Sequence, residues 1–167
     1  MAPMTTSGTA RLTLPSDTEI LVVREFDAPR HLVYKAWTTP ELVRRWWPGR
    51  RGTMDVAEID LRVGGAWRYA MTASQGYEVA FHGEYREIVP NERLVYTEIY
   101  EGAAEAGAAV NLITFTEVDG RTTVEMLTRV DTKEVRDLII DSGMEGGMQE
   151  GMDLLEEVAV SLASESG

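Results

Sequence analysis

Residues 60–71, Asp-Leu-Arg-Val-Gly-Gly-Ala-Trp-Arg-Tyr-Ala-Met, limit the possible folds of this chain more than any other stretch. One strand ends there and the chain turns on Gly64-Gly65. A second strand then begins, with Trp67, Tyr69 and Met71 alternating against Arg68, Ala70 and Thr72. A period of two puts the first three on one face of a half-buried antiparallel strand. Large aromatic and thioether groups on that face line something apolar, either a packed core or a cavity for a small molecule.

The same reading extends along the chain. Glu19–Phe26 is a first strand, and residues 1–17, rich in Ser and Thr, read as a flexible tail before a single domain over residues 18–167. Asp27-Ala-Pro29 supplies a cap and a first-turn proline for a short helix over residues 29–38. Thr39-Pro40 repeats the signal for a second helix ending at Trp46-Trp47-Pro48. Six strands follow, over residues 53–61, 66–73, 78–88, 93–100, 109–118 and 121–130. Asp119-Gly120 between the last two is a strong hairpin signal.

The end of the chain is helical. Asp131 with Glu134 resembles a capping box. Met144, Met148, Met152, Leu155, Ala159 and Leu162 then recur at spacings of three and four, an amphipathic helix of about twenty residues. Beside them runs a stripe of Gly143, Gly147 and Gly151. Each glycine costs up to ~1 kcal/mol in a helix interior. The stripe therefore implies either close packing of the helix on the sheet or space left above that face. One strand, two helices, six strands and a long helix make an α+β layer, a seven-stranded curved antiparallel sheet around its terminal helix.

Composition narrows the chemistry. The chain has no Cys, which excludes disulfides, thiolate nucleophiles and Cys-ligated metals. His31 and His82 are the only histidines, and neither belongs to a recognisable metal or triad pattern, so no metal and no cofactor are expected. A net charge of −12 disfavours nucleic acid and anionic membrane as partners. Ten acidic residues against Lys133 and Arg136 concentrate that charge after residue 130, as a solvated helix face. No apolar run approaches the ~18–20 residues that span a bilayer. Without a signal segment, the expected compartment is the cytoplasm.

Several short motifs in order resemble the START-like, or SRPBCC, superfamily with its helix-grip fold. They are Phe-Asp-Ala-Pro-Arg at 26–30, Ala-Trp-Thr at 36–38, Pro40-Glu41, Trp46-Trp47 and Asp-Leu-Arg-Val-Gly-Gly at 60–65. Gly-Glu-Tyr at 83–85, Pro-Asn-Glu-Arg-Leu at 90–94 and Gly-Met-Glu-Gly-Gly at 143–147 complete the set. More narrowly, the chain is similar to bacterial proteins related to the C-terminal domain of the activator of heat-shock-protein-90 ATPase. The resemblance implies a cavity between sheet and long helix that holds apolar small molecules in many relatives, which include lipid carriers, hormone receptors, polyketide cyclases and aromatases. Many relatives carry Trp where Gly151 stands, so Gly151 is expected to enlarge that cavity. Fold alone does not choose among these functions.

Alternation assigns an inward set of Trp67, Tyr69, Met71, Val79, Phe81, Tyr85, Leu94, Tyr96, Glu98, Ile113 and Phe115, with Gly83 leaving a gap. Met144, Met148 and Met152 form the opposing helix face. Such aromatics with scattered polar tips suit an apolar or aromatic ligand, and methionine adapts to varied shapes. The same residues also suit a filled core. Glu98 either points into a low-dielectric space, as a candidate general acid or base, or turns to solvent at a frayed strand end. His82 has the opposite parity to Phe81 and belongs on the convex side. In residues 46–51, Trp-Trp-Pro-Gly-Arg-Arg, Trp46 borders the cavity end. Arg50 or Arg51 holds a ligand carboxylate or phenolate there, or the tryptophans pin the helix and the arginines offset nearby acids. Three functions remain open: a binding module for an apolar small molecule, a cyclase- or hydrolase-like enzyme, and a co-chaperone-like activator of a heat-shock ATPase. A homodimer is compatible with each.

Overall fold

The alternation becomes an eight-stranded curved antiparallel sheet in the computed structural model, which describes residues 10–166. The strands are β1 (Arg11–Thr13), β2 (Glu19–Phe26), β3 (Gly52–Ile59), β4 (Ala66–Ala73), β5 (Glu78–Val89), β6 (Arg93–Tyr100), β7 (Ala109–Val118) and β8 (Arg121–Arg129). Their spatial order is β1-β2-β8-β7-β6-β5-β4-β3. The last six form a meander, and β2 returns to pair along the whole of β8, from Glu19 opposite Arg129 to Phe26 opposite Thr122. Asp119 and Gly120 both have positive φ (54° and 78°), as the tight β7–β8 hairpin requires.

The sheet has one strand more than the sequence suggested. Arg11–Thr13 pairs with β2, and Ala10 is buried. Gln149 exchanges two hydrogen bonds with the Ala10 backbone, Ala10 N to Oε1 at 3.1 Å and Nε2 to Ala10 O at 2.9 Å. Arg136 Nη1 donates to Ser16 O at 2.6 Å. The expected flexible tail thus forms a strand from residue 11, held by β2 and by Gln149 and Arg136 more than a hundred residues away. Residues 1–9 of it lie outside the described residues.

Four helices cover the concave face and its rim: α1 (Arg30–Thr38), α2 (Pro40–Trp46), α3 (Lys133–Asp141) and α4 (Met144–Ser166). The cap of α3 is Thr132, whose side chain accepts from Val135 N, rather than Asp131. A left-handed Gly143 (φ 82°) separates α3 from α4. Arg24, on the inner face of β2 with no exposed side-chain surface, fixes α4 along the sheet. Its Nη1 donates to Met152 O, and its Nη2 lies 3.1 Å from both Asp153 and Glu156. Glu156 also accepts from Asp27 N at 2.9 Å.

Of the glycine stripe, Gly143 meets open space, whereas Gly147 and Gly151, with Gly146 beside them, face Arg51 and Trp46. A Cβ on Gly146 would stand 2.8 Å from Arg51 Nη2, and one on Gly151 would stand 3.3 Å from Trp46 O. Gly146 and Gly151 let α4 approach the end of α2 and the loop after it. Arg51 and the Arg50 backbone both reach Glu150 on the same helix at 3.3 Å. Gly151 therefore shapes a helix–helix contact, and the expected enlargement of a cavity is not found at this position.

The gap expected at Gly83 is also filled. The Trp67 indole crosses over it, and Nε1 donates to Thr97 O on β6 at 3.0 Å. A Cβ on Gly83 would lie 1.8 Å from that carbonyl oxygen and 2.6 Å from the indole nitrogen. Gly83→Ala must therefore displace backbone and indole together. It is expected to cost about 3 kcal/mol, the upper end for overpacking, measured as the shift in urea midpoint. In the control Gly147→Ala the added Cβ meets only Arg51 Nη1, at an ordinary 3.8 Å.

Candidate functional site

The concave face divides into two halves. Under α1, the sheet is sealed: Leu94, Ile113, Phe115, Val124 and Thr122 are at most 2% exposed. Tyr34 and Trp37 of α1 meet the Phe115 ring at 5.6 and 5.8 Å, and Trp46 stacks on Trp37 at 5.4 Å while its Nε1 donates to Ala36 O. At the other end, the inner-face residues Tyr96, Glu98, Met126 and Thr128 keep accessible surface, as do Met144 and Met148 of α4. Arg24 meets Met152 and Asp153, and Asp27 meets Glu156, so α4 and β2 run together. One turn back along the helix from Met152 stands Met148, partly buried against the core.

The expected site residues therefore separate. Ile113 and Phe115 belong to the sealed core, Met152 is buried beside Arg24, and Trp46 pins α2 to α1. Trp67, Tyr69, Tyr85 and Tyr96 form one aromatic group on the inner face. Trp67 stands 4.8 Å from Tyr69 and 5.5 Å from Tyr96, and Tyr85 stands 5.9 Å from Tyr96. Trp47 rests on Tyr69 and Phe81 at 5.4 and 5.7 Å. Met71 is buried on the same face, and Met144 and Met148 remain partly accessible.

Glu98 is on the inner face rather than at a frayed strand end. Asn111 Nδ2 donates to its Oε1 at 2.7 Å, and Thr128 Oγ1 donates to Asn111 Oδ1 at 2.6 Å. This ladder crosses β6, β7 and β8 and orients the carboxyl. Burial raises the Glu98 pKa, and the Asn111 hydrogen bond offsets part of that. Burial also raises Tyr69, Tyr85 and Tyr96, with the Glu98 charge adding to the shifts of Tyr69 and Tyr96. Asn111 and Thr128 had a signal in the sequence. The Asp119-Gly120 hairpin sets Val118 opposite Arg121, and counting back along the ladder brings Asn111 opposite Thr128.

The convex face is different in kind. Glu101, in the short 3₁₀ turn after β6, takes two 2.9 Å hydrogen bonds from Arg68 and one from His82 Nδ1. Those hydrogen bonds hold its pKa down at about 2. Arg50 and Arg51 face Glu157 and Glu150 on α4. A depression of about 440 Å³ is lined by Pro15, Glu19, Leu21, Leu112, Thr114, Glu125 and Leu127. It lacks both aromatic side chains and an enclosed polar group, so the concave end is the better candidate site. Among the described residues no cluster of His, Cys, Asp and Glu is placed to hold a metal, and no helix is long and apolar enough to cross a membrane.

The family model described as Activator of Hsp90 ATPase homolog 1-like protein matches residues 27–159. A crystal structure of a Rhodobacter sphaeroides protein superposes with a TM-score of 0.83 at 26% identity, covering 93% of this chain and 99% of that one. A Chromobacterium violaceum protein gives 0.73 at 28% identity, over 84% and 96% of the two chains. The solution structure of an AHSA1-like protein from Aeromonas hydrophila shares the fold at 18% identity, with a TM-score of 0.63 over 86% and 94%. No curated protein matches the chain.

The two carboxylates give opposite pH dependences. Glu98 is raised in the folded state, so its stability term is fully present below its usual 4.5 and drains away as pH rises through the folded value. Glu101 is lowered, so its term is present above 4.5 and lost as pH falls towards 2. Thermal unfolding from pH 3 to 8 checks both. Glu98→Gln is expected to raise Tm at neutral pH, with the gain shrinking in acid. Glu101→Gln is expected to lower Tm at neutral pH, with the loss shrinking in acid.

Proposed function

The chain belongs to the Activator of Hsp90 ATPase homolog 1-like family, and from the concave face that it builds on this fold we propose that it binds an apolar or aromatic small molecule at the open end of that face. The observation that carries this reading is the uneven sealing of one continuous surface. Leu94, Ile113, Phe115 and Val124 are fully packed, whereas Tyr96, Glu98, Met126 and Thr128 on the same strands keep accessible area. A filled core would be sealed along its length. Aromatic walls, an adaptable methionine edge and one oriented polar ladder suit a ligand with an apolar body.

A second reading, proton-transfer catalysis in the same space, is supported by Glu98. A fixed carboxyl with a raised pKa, one oxygen engaged and the other not, meets the requirements of a general acid or base. Chaperone activation is supported by the family description alone.

The first reading is tested with a neutral aromatic probe, N-phenyl-1-naphthylamine, followed by fluorescence. Saturable one-to-one binding is expected. Met148→Trp, which adds bulk at the partly accessible methionine of α4, is expected to weaken it roughly tenfold while the fold is retained. Absence of saturable binding, or binding unaffected by Met148→Trp, would count against the site. For the second reading, Glu98→Gln is expected to leave probe affinity unchanged and to abolish turnover of whatever substrate the scaffold accepts.

A further inference from the structure

We infer that the ligand of the concave site carries a basic nitrogen on an apolar body, and that Glu98 Oε2 receives it. This inference rests on the binding reading above and names its chemistry. Three observations lead to it. Glu98 Oε1 is taken by Asn111 Nδ2, and the ladder through Thr128 donates in one direction only, towards the carboxyl. Oε2 has no hydrogen-bond partner among the described residues, yet it is not among their sealed, unsatisfied atoms. It therefore keeps accessible surface, as the half-buried Glu98 does overall.

The second observation is the absence of a counter-charge. None of the ion pairs among the described residues includes Glu98. The arginine on the same face, Arg24, is committed to Asp153 and Glu156. The third is the surrounding wall. Tyr96 precedes Glu98 by two residues on the same face of β6, and Trp67 stands 5.5 Å from its ring and 4.8 Å from that of Tyr69. A carboxyl oxygen with no protein cation, on a face that also carries aromatic side chains, is an arrangement that binds an ammonium group. It repels carboxylate ligands and leaves a hydrocarbon without a polar partner.

Three ligands of one skeleton separate the outcomes: 2-naphthylmethylamine, 2-methylnaphthalene and 2-naphthoate. Affinities are measured by calorimetry at pH 7, and methionine-methyl NMR spectra show whether Met148 and Met144 shift. The amine is expected to bind at least about tenfold tighter than the hydrocarbon, with naphthoate weakest. In Glu98→Gln the amine advantage is expected to collapse while hydrocarbon affinity stays. Its fold is verified by the Tm measured alongside. If the hydrocarbon binds and shifts Met148 but the amine holds no advantage, or keeps it in Glu98→Gln, this inference is overturned and the binding reading stands. The same holds if naphthoate binds tightest. If none of the three binds or shifts the methionines, the binding reading falls and this one with it.

Discussion

Arg24 joins the two layers on which the rest of the molecule is built. Its guanidinium leaves water entirely and meets a helix carbonyl and two carboxylates, Asp153 and Glu156, that are themselves only partly buried. Burial pulls its pKa down, and those two carboxylates pull it back up. Pairs of this kind add little net stability over an apolar substitute, but losing one partner is costly. The geometric effect is larger. With Arg24 held at Met152, the register of α4 along β2 is set.

That register separates two jobs on one surface. Towards α1, rings and aliphatic groups interlock and no accessible area is left. Away from it, Gly146 and Gly151 let the start of α4 lie against the α2 loop, and Met144 and Met148 on that part of the helix stay partly accessible. Glu98 and Glu101 are three residues apart on opposite faces, and their environments drive them in opposite directions. One is desolvated with a single amide donor, and the other is wrapped by a guanidinium and an imidazole at the surface.

Much of this was legible from residues alone. Alternation in Trp67, Tyr69 and Met71 placed β4, and Asp119-Gly120 placed the hairpin, because both signals are local and depend on backbone geometry. The short motifs carried the family. What local pattern missed was decided by distant partners. The strand at Arg11–Thr13 exists because β2 and Gln149 receive it. Arg24 reads as an outward charge by type, although its parity with Val22 and Phe26 put it inside. At Gly83 the missing side chain suggested space, whereas an indole from the neighbouring strand occupies it. Whether an inward face is sealed or open depends on where the covering helices stop, and periodicity does not report that.

The pairing of β2 with β8 has a consequence for how the chain is made. Apart from the short pairing of Leu21–Val23 with β1, Glu19 through Phe26 find their hydrogen-bonding partners in residues 122–129, and Arg24 finds its carboxylates later still. During synthesis the first long strand therefore leaves the ribosome with Ile20, Val22 and Phe26 uncovered. It stays so until most of the chain has followed, a topology that folds slowly and exposes an apolar edge meanwhile. A nascent chain stalled before residue 121 has every strand of the meander but one, and nothing to close it.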